Sequence, residues 1–253
     1  FKAHMALTSV DPPEVIKFGR EQYPDVDFIK PSISIYNQAR KEGILPTRLM
    51  RWCCRIYKEG IGAGKVTLIG IRHTESRQRS NRKEVEISNH KYSGTLDGLD
   101  EFREKRNSQK RGRPTHGGVH EINITNATDE HTIGCIRGHE SLIISPIIEW
   151  TDDEVWMFLK TLGIKYCKLY DEGYHRIGCL CCPMHGYRQK LADCKRYPHI
   201  YKSWLKVIDD IHNGGKLDTF GLTNEDYFDW WISGVGIEAW RNRRKQQTLN
   251  FKD

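Results

Sequence analysis

Four cysteines have the type and spacing to do chemistry. Cys53 and Cys54 are adjacent, and Cys179 and Cys182 bracket Leu180-Cys181 as a CxxC. A neighbouring pair plus a remote CxxC offers four thiolates to gather at one point, the ligand set of a metal or iron–sulfur centre. Two plainer readings use the same residues. They are buried free thiols, since Cys is among the most buried residue types, or disulfides in an exported protein. The N-terminus shows no secretory pattern, so the eight cysteines are read as mostly reduced or metal-bound, in a cytoplasmic protein. On a regular helix Cys53 and Cys54 point about 100° apart. Both can serve one centre only if the helix is irregular or the centre straddles it.

A second segment carries charge at close spacing: Gly70-Ile71-Arg72-His73-Thr74-Glu75-Ser76-Arg77-Gln78-Arg79. It follows an apolar run, and ligands of open α/β sheets bind just beyond the carboxyl ends of strands. Gly70 allows close backbone approach. Arg72, Arg77 and Arg79 can grip phosphate or sulfate oxygens in fork geometry, with Glu75 orienting one of them. A charged, solvated turn is the plainer alternative. Asp11, after the first strand, can meet a ribose hydroxyl or magnesium, or stand as an exposed turn carboxylate. The formal net charge of +7 favours an anionic partner, whether nucleotide, phosphate or nucleic acid. No stretch approaches the roughly 20 apolar residues that a membrane span needs, so no membrane partner is expected.

The elements that must position these residues alternate between strand and helix. Residues 3–10 read as a strand, and Asp11-Pro12-Pro13-Glu14 opens a helix that ends before Pro24. Residues 32–43 form a helix closed by Gly43. Pro46 opens another helix, which carries Leu49, Trp52, Cys53 and Ile56 at helical spacing. Residues 65–72 read as a strand buried on both faces, and residues 142–148 as a similar run interrupted by Pro146. Thr151-Asp152-Asp153-Glu154 is a capping box. The helix behind it presents Val155, Trp156, Leu159 and Leu162 as its buried face and stops at Gly163. The stretch 80–140 is polar, with basic runs at 103–106 and 110–113, and reads as a solvated insertion or a nucleic-acid contact. The last third is helical, with Trp204, Val207, Ile208 and Ile211 on one apolar face, and it ends in a basic run at 240–245. The pattern is that of an α/β fold with a mainly parallel sheet.

The GxRxxESxxR segment resembles a motif of the phosphoadenylyl-sulfate (PAPS) reductase family. So do Pro146-Ile147-Ile148-Glu149-Trp150 with the capping box behind it, and residues 169–183, from Leu169-Tyr170-Asp171-Glu172-Gly173 through Arg176 and the CxxC to Pro183. The opening 8–14 is similar to the family's second strand and the turn after it. The resemblance implies a doubly wound adenine nucleotide alpha-hydrolase-like fold that binds ATP, with magnesium as a candidate companion, or an adenylyl sulfate. It divides the chain into such a domain over 1–185, with an insertion at about 80–140, and a helical extension over 186–253.

The family's adenylyl-sulfate reductases hold a 4Fe–4S cluster with a CC and a CxxC pair. Carried over, the ligands are Cys53, Cys54, Cys179 and Cys182, with Cys181 a non-ligand. Arg72, Arg77, Arg79 and Arg176 become the phosphate contacts. Two family features are missing. An SGGKDS-like phosphate loop would lie upstream of Phe1, so a truncated first strand and loop are expected. No cysteine follows Cys194, where the reductases carry a catalytic one in an ECGLH-like segment, so no catalytic residue is assigned. The resemblance then favours ATP pyrophosphatase chemistry, as in relatives that thiolate DNA or tRNA. Such an enzyme would adenylylate its substrate and take sulfur from a donor protein. The alternatives are an adenylyl-sulfate or PAPS reductase whose catalytic cysteine lies elsewhere, and a non-catalytic nucleotide- or nucleic-acid-binding regulator.

Overall fold

A computed structural model of the chain describes residues 1–58, 62, 65–77, 79–87 and 142–246. It also describes the backbone of 88, 93–94, 119–126, 129–137, 141 and 247–250. The chain runs through β1 (His4–Ala6), α1 (Pro13–Gln22), β2 (Asp27–Ile29), α2 (Ile35–Glu42), α3 (Trp52–Tyr57) and β3 (Val66–Leu68). It continues with a 3-10 turn (His73–Glu75), β4 (Val85–Ser88), β5 (Ser93–Gly94), β6 (Val119–Asn126), β7 (Asp129–Arg137) and β8 (Ser141–Ile144). The last elements are α4 (Asp152–Thr161), α5 (Tyr187–Arg196), α6 (Pro198–Asn213), α7 (Asn224–Ser233) and α8 (Ile237–Asn250).

Contacts divide the chain into two units, 1–59 with 166–253, and 60–165. The C-terminal helices share one core with the N-terminal segment, through Val10, Leu45, Trp52, Leu180, Trp204 and Ile208.

In the first unit β1 and β2 pair in parallel, with Met5 opposite Phe28. The strand expected over 3–10 stops at Ala6 because the chain turns at Ser9, whose φ is 71°. Pro13 occupies the first turn of α1 as expected, and the helix ends at Tyr23, before Pro24. The hydroxyl of Ser34 accepts from Asn37 N to start α2, and Gly43, at φ 72°, closes it in the left-handed conformation that glycine adopts without strain. Pro46 does not start a helix. Thr47 and Met50 close a turn through Thr47 N to Met50 O at 3.2 Å, and helix begins only at Trp52. α6 buries Trp204, Val207, Ile208 and Ile211, the expected face.

In the second unit the strand order is β3-β8-β4-β5. β3 runs parallel to β8, whereas β4 runs antiparallel to β8 and to β5. β3 was expected to be buried on both faces. Among the described residues it is an edge strand of this sheet instead, flanked by β8 alone, with Val66 42% and Leu68 58% exposed. β8 lies between two strands and buries Leu142 completely. It ends at Ile144, two residues ahead of Pro146. Both hydrogen bonds of the Thr151–Glu154 capping box are made. α4 fully buries none of its residues: Val155, Trp156 and Leu159 are half-buried and Leu162 is exposed. Part of the expected polar insertion forms strands, including the antiparallel hairpin β6–β7. The basic runs at 103–106 and 110–113 lie outside the described residues.

Candidate functional site

The first unit gathers the cysteines. Cys53 and Cys54 stand in the first turn of α3, where Cys54 N bonds Arg51 O at 3.1 Å in a tightened i to i+3 turn. Their thiols hydrogen-bond each other, and Cys53 also lies within electrostatic reach of Cys179 and Cys182. The adjacent pair therefore converges despite its helical offset. On the other segment, Cys182 N bonds Cys179 O at 3.2 Å, which closes the CxxC as a turn. Cys181 takes the left-handed φ of 55° at its centre and points away. Its N–H is held by buried Asp193 at 3.0 Å and its sulfur lies 3.2 Å from Cys194 Sγ. Cys194 had no ligand spacing in sequence, and only the fold reveals this contact.

Cations and donors surround the four thiols. Arg51 donates to Cys54 Sγ at 3.4 Å. The hydrogen bond from Cys53, opposed by burial and aided by Arg51, holds the Cys54 thiol down at about 5. The same shared bond, with burial and the neighbouring sulfurs, pushes Cys53 up. Burial raises Cys182. Lys58 hydrogen-bonds Cys179. Burial opposes its charge but is outweighed by Cys179, Cys54 and Asp11, so its pKa is raised. Spacing alone did not single out Arg51 or Lys58.

Asp11 is not a free turn carboxylate. It accepts from Thr8 N at 2.6 Å and from Thr8 Oγ1 at 2.9 Å, and the Thr8 hydroxyl also lies 3.4 Å from Cys179 Sγ. Leu180 N bonds Val10 O at 2.7 Å. The turn after β1 is thus joined to the cysteine turn at both backbone and side chain. Gly178 lets His185 approach, since a side chain there would meet Nε2 at 3.2 Å. His185 Nδ1 is buried with no hydrogen-bond partner among the described residues. Arg176, on this same segment, is exposed.

The second unit holds the arginine segment. Glu75, 12% exposed at its side chain, pairs with Arg79 and, at 3.6 Å, with Arg72, which also pairs with Asp152. Glu75 thus orients two of the arginines, and two carboxylates offset much of their charge. Arg72 Nε remains buried without a hydrogen-bond partner among the described residues. Arg77 is exposed. Gly70 has ordinary backbone geometry, and a side chain there would meet Ile147 at 3.6 Å, a normal contact. Beyond the ends of β3 and β8 lies a cavity of about 470 Å³ lined by His73, Arg82, Lys83, Pro146 and Trp150. His73 Nε2 lies 2.9 Å from Arg82 O, and Arg82 pairs with buried Glu86. Sequence reasoning left His73, Lys83 and Trp150 out of the site, although His73 lies within the arginine motif and Lys83 just beyond it.

A family model described as the phosphoadenosine phosphosulfate reductase domain matches residues 13–185. The chain belongs to the phosphoadenosine phosphosulfate reductase domain family. Its domain is therefore of the adenine nucleotide alpha-hydrolase type, and both the arginine segment and the cysteine quartet fall inside the matched residues. An adenosine 5'-phosphosulfate reductase of Shouchella clausii is 24% identical over 177 residues, covering 67% of this chain and 54% of that protein. An uncharacterized protein of Methanocaldococcus jannaschii is 34% identical over 65 residues, 26% of this chain and 16% of that one. A probable FAD synthase of Caenorhabditis elegans is 49% identical over 37 residues, 15% of this chain and 7% of that one. The chain spans 16% and 18% of two Methanocaldococcus jannaschii relatives and about half of the Shouchella enzyme.

Among the described residues of this PAPS reductase-family chain, no three His, Cys, Asp or Glu side chains are arranged to hold a single metal ion. The quartet is all thiol, and Arg51 and Lys58 donate to its sulfurs. Such a donor set suits a cluster in which each iron takes one thiolate. Among the described residues no helix is long and apolar enough to cross a membrane.

Proposed function

We propose that the chain is the nucleotide-handling part of a sulfur-transfer enzyme. In this reading it binds ATP or an adenylyl sulfate and holds a 4Fe–4S cluster on Cys53, Cys54, Cys179 and Cys182. The observation that carries it is the convergence of these four thiols, from two distant segments, beside the Thr8–Asp11 turn. Arg51 and Lys58 offset the charge of the thiolates. When bound, the cluster supplies a compact anionic centre for electron or sulfur handling.

In the second unit, Arg72, Arg77 and Arg79, beyond Gly70, contact phosphate oxygens, and Glu75 holds Arg72 and Arg79 in place. In the first unit, Arg176 is read as an anion contact, and Asp11, preset by Thr8, as the contact for a ribose hydroxyl or magnesium. The cavity of about 470 Å³ has the size of a small-molecule site. An oxygen of the substrate attacks the α-phosphorus of ATP and pyrophosphate leaves. The terminal sulfur of a donor-protein persulfide then displaces AMP, and a second thiol of the donor cleaves the resulting S–S bond, releasing the thiolated substrate and leaving the donor as a disulfide. The basic runs at 103–106, 110–113 and 240–245 suit DNA or tRNA as the substrate better than a free small molecule. In the basic tail, Arg241 and Arg244 are paired with Glu238 and Asp226, and Arg243 and Lys245 are exposed.

The Shouchella relative favours a second reading, adenylyl-sulfate reduction. That reaction needs a nucleophilic thiol from outside these residues, since no cysteine follows Cys194. The test is release of radiolabelled pyrophosphate from ATP by the anaerobically purified protein, with and without DNA or tRNA. Release stimulated by one nucleic acid supports adenylylation. No release, with adenylyl-sulfate cleavage once a thiol partner is added, favours the reductase. No turnover of either nucleotide leaves a binding regulator.

A further inference from the structure

The geometry points to a second thiol site, separate from the quartet: Cys181 and Cys194 form a pair that peroxide converts reversibly to a disulfide, fastening the cysteine turn to the helical extension. The inference does not depend on what the quartet holds.

Cys194 lies on α5, beyond the family-matched residues, and Cys181 lies inside the CxxC turn. Their sulfurs are 3.2 Å apart. A disulfide needs sulfurs about 2.05 Å apart, so small side-chain rotations are enough to close it. Two features of the backbone aim Cys181 at its partner. Its φ of 55° is left-handed, a conformation that a residue other than glycine keeps only where its surroundings enforce it. Its N–H donates to Asp193 Oδ2 at 3.0 Å. Asp193 is 1% exposed and is fixed in turn by Gln189 Nε2 at 3.0 Å. Asp193 and Cys194 are neighbours on α5. One turn of that helix therefore supplies both the anchor for the Cys181 backbone and the partner for its sulfur.

Exposure sets the order of events. Cys181 is 1% exposed and Cys194 is half-buried, so peroxide meets Cys194 first. The Cys194 sulfur attacks one oxygen of hydrogen peroxide, the O–O bond breaks, and the other oxygen leaves as water with the thiol proton. The Cys181 sulfur, already in contact, attacks the sulfenic sulfur, and its oxygen leaves as a second water. Two thiols and one hydrogen peroxide thus give one disulfide and two waters. A dithiol reductant restores the thiols and is itself oxidised to a disulfide. In the oxidised form the turn that carries Cys179 and Cys182 is bound covalently to α5.

The test treats the full chain, reduced and free of iron, with stoichiometric hydrogen peroxide. Remaining thiols are alkylated and tryptic peptides are mapped by mass spectrometry. Cleavage after Arg176, Arg188, Lys190 and Lys195 places Cys181 on peptide 177–188 and Cys194 on peptide 191–195. The two peptides should be cross-linked in wild type and in Cys182→Ser, and separate again after dithiothreitol. In Cys181→Ser the link should fall about tenfold or more, because no other thiol is held in contact with Cys194. If Cys181→Ser does not fold, Cys181→Ala takes its place under the same criteria. A folded wild type without the link overturns the inference. So does a link that survives in Cys181→Ser, or one lost as fully in Cys182→Ser. A chain that binds no iron but forms the link fails the cluster reading alone, whereas an iron-binding chain without the link fails this inference alone.

Discussion

Thr8→Val probes the joint between the β1 turn and the cysteine turn. Thr8 is 2% exposed, and its hydroxyl donates to Asp11 Oδ1 at 2.9 Å and lies 3.4 Å from Cys179 Sγ. Valine keeps the shape and the backbone N–H to Asp11 Oδ2 but removes the hydroxyl donor. A hydrogen bond to a charged acceptor is worth about 1.5–3 kcal/mol net. The buried methyl that replaces it returns about 0.8 kcal/mol. The expected loss is therefore about 1–2 kcal/mol, read by urea denaturation of the reduced, iron-free protein with far-UV circular dichroism. Asp11→Ala completes a double-mutant cycle, and the two substitutions should couple by about 1 kcal/mol because both remove the bond from the Thr8 hydroxyl to the Asp11 carboxylate. A Thr8→Val protein within about 0.3 kcal/mol of wild type, or a fully additive cycle, would refute the assignment of Thr8 as the hinge of this joint.

Two further perturbations test the packing that positions the site. Glu14 accepts from Arg196 at 2.9 Å and from Tyr197 Oη at 2.8 Å, tying α1 to the helical extension. Burial pushes its carboxyl up, but those bonds and its own backbone outweigh burial and hold it below the ordinary 4.5. With the folded value depressed, its stabilisation is present above about pH 4.5 and is lost as pH falls through the folded value. Denaturation at pH 7 and pH 3 should show Glu14→Gln losing about 1 kcal/mol less on acidification than wild type, and equal losses would argue against the tie. Trp204 is 1% exposed and packs on Tyr36 and Trp231 at 5.0 and 5.1 Å between ring centroids. Trp204→Ala should cost about 3–5 kcal/mol in the same assay, and a cost under about 1 kcal/mol would mean that the extension is not part of the core.

Local chemistry was readable where one residue decides the outcome. Pro13 opening α1, Gly43 closing α2 and the Thr151–Glu154 box all act within a turn or two, and each stands where its residue type predicts. Burial of β3 was not readable, because an apolar run cannot tell a central strand from an edge strand; the neighbours decide. Pro46 is permissive at a helix start but does not compel one, and the Thr47–Met50 turn prevails there. The cysteine spacing singled out Cys53, Cys54, Cys179 and Cys182, and the family resemblance set Cys181 apart from them. Spacing could not predict Arg51, Lys58 or Thr8, whose roles come from side chains brought in from other turns. The Cys181–Cys194 contact was still less visible, since Cys194 has no ligand spacing and only the fold brings its helix to the cysteine turn. The membership of the domain in its family was legible because several motifs occur in order along 13–185.

The most direct test of the account is metal analysis of the anaerobically purified chain beside its single Cys→Ser variants. A brown protein with about four irons and four sulfides per chain is predicted. The colour should be lost in Cys53→Ser, Cys54→Ser, Cys179→Ser and Cys182→Ser and kept in Cys181→Ser. A colourless, zinc-containing protein would contradict the account. So would a folded Cys181→Ser variant that loses iron as fully as Cys179→Ser.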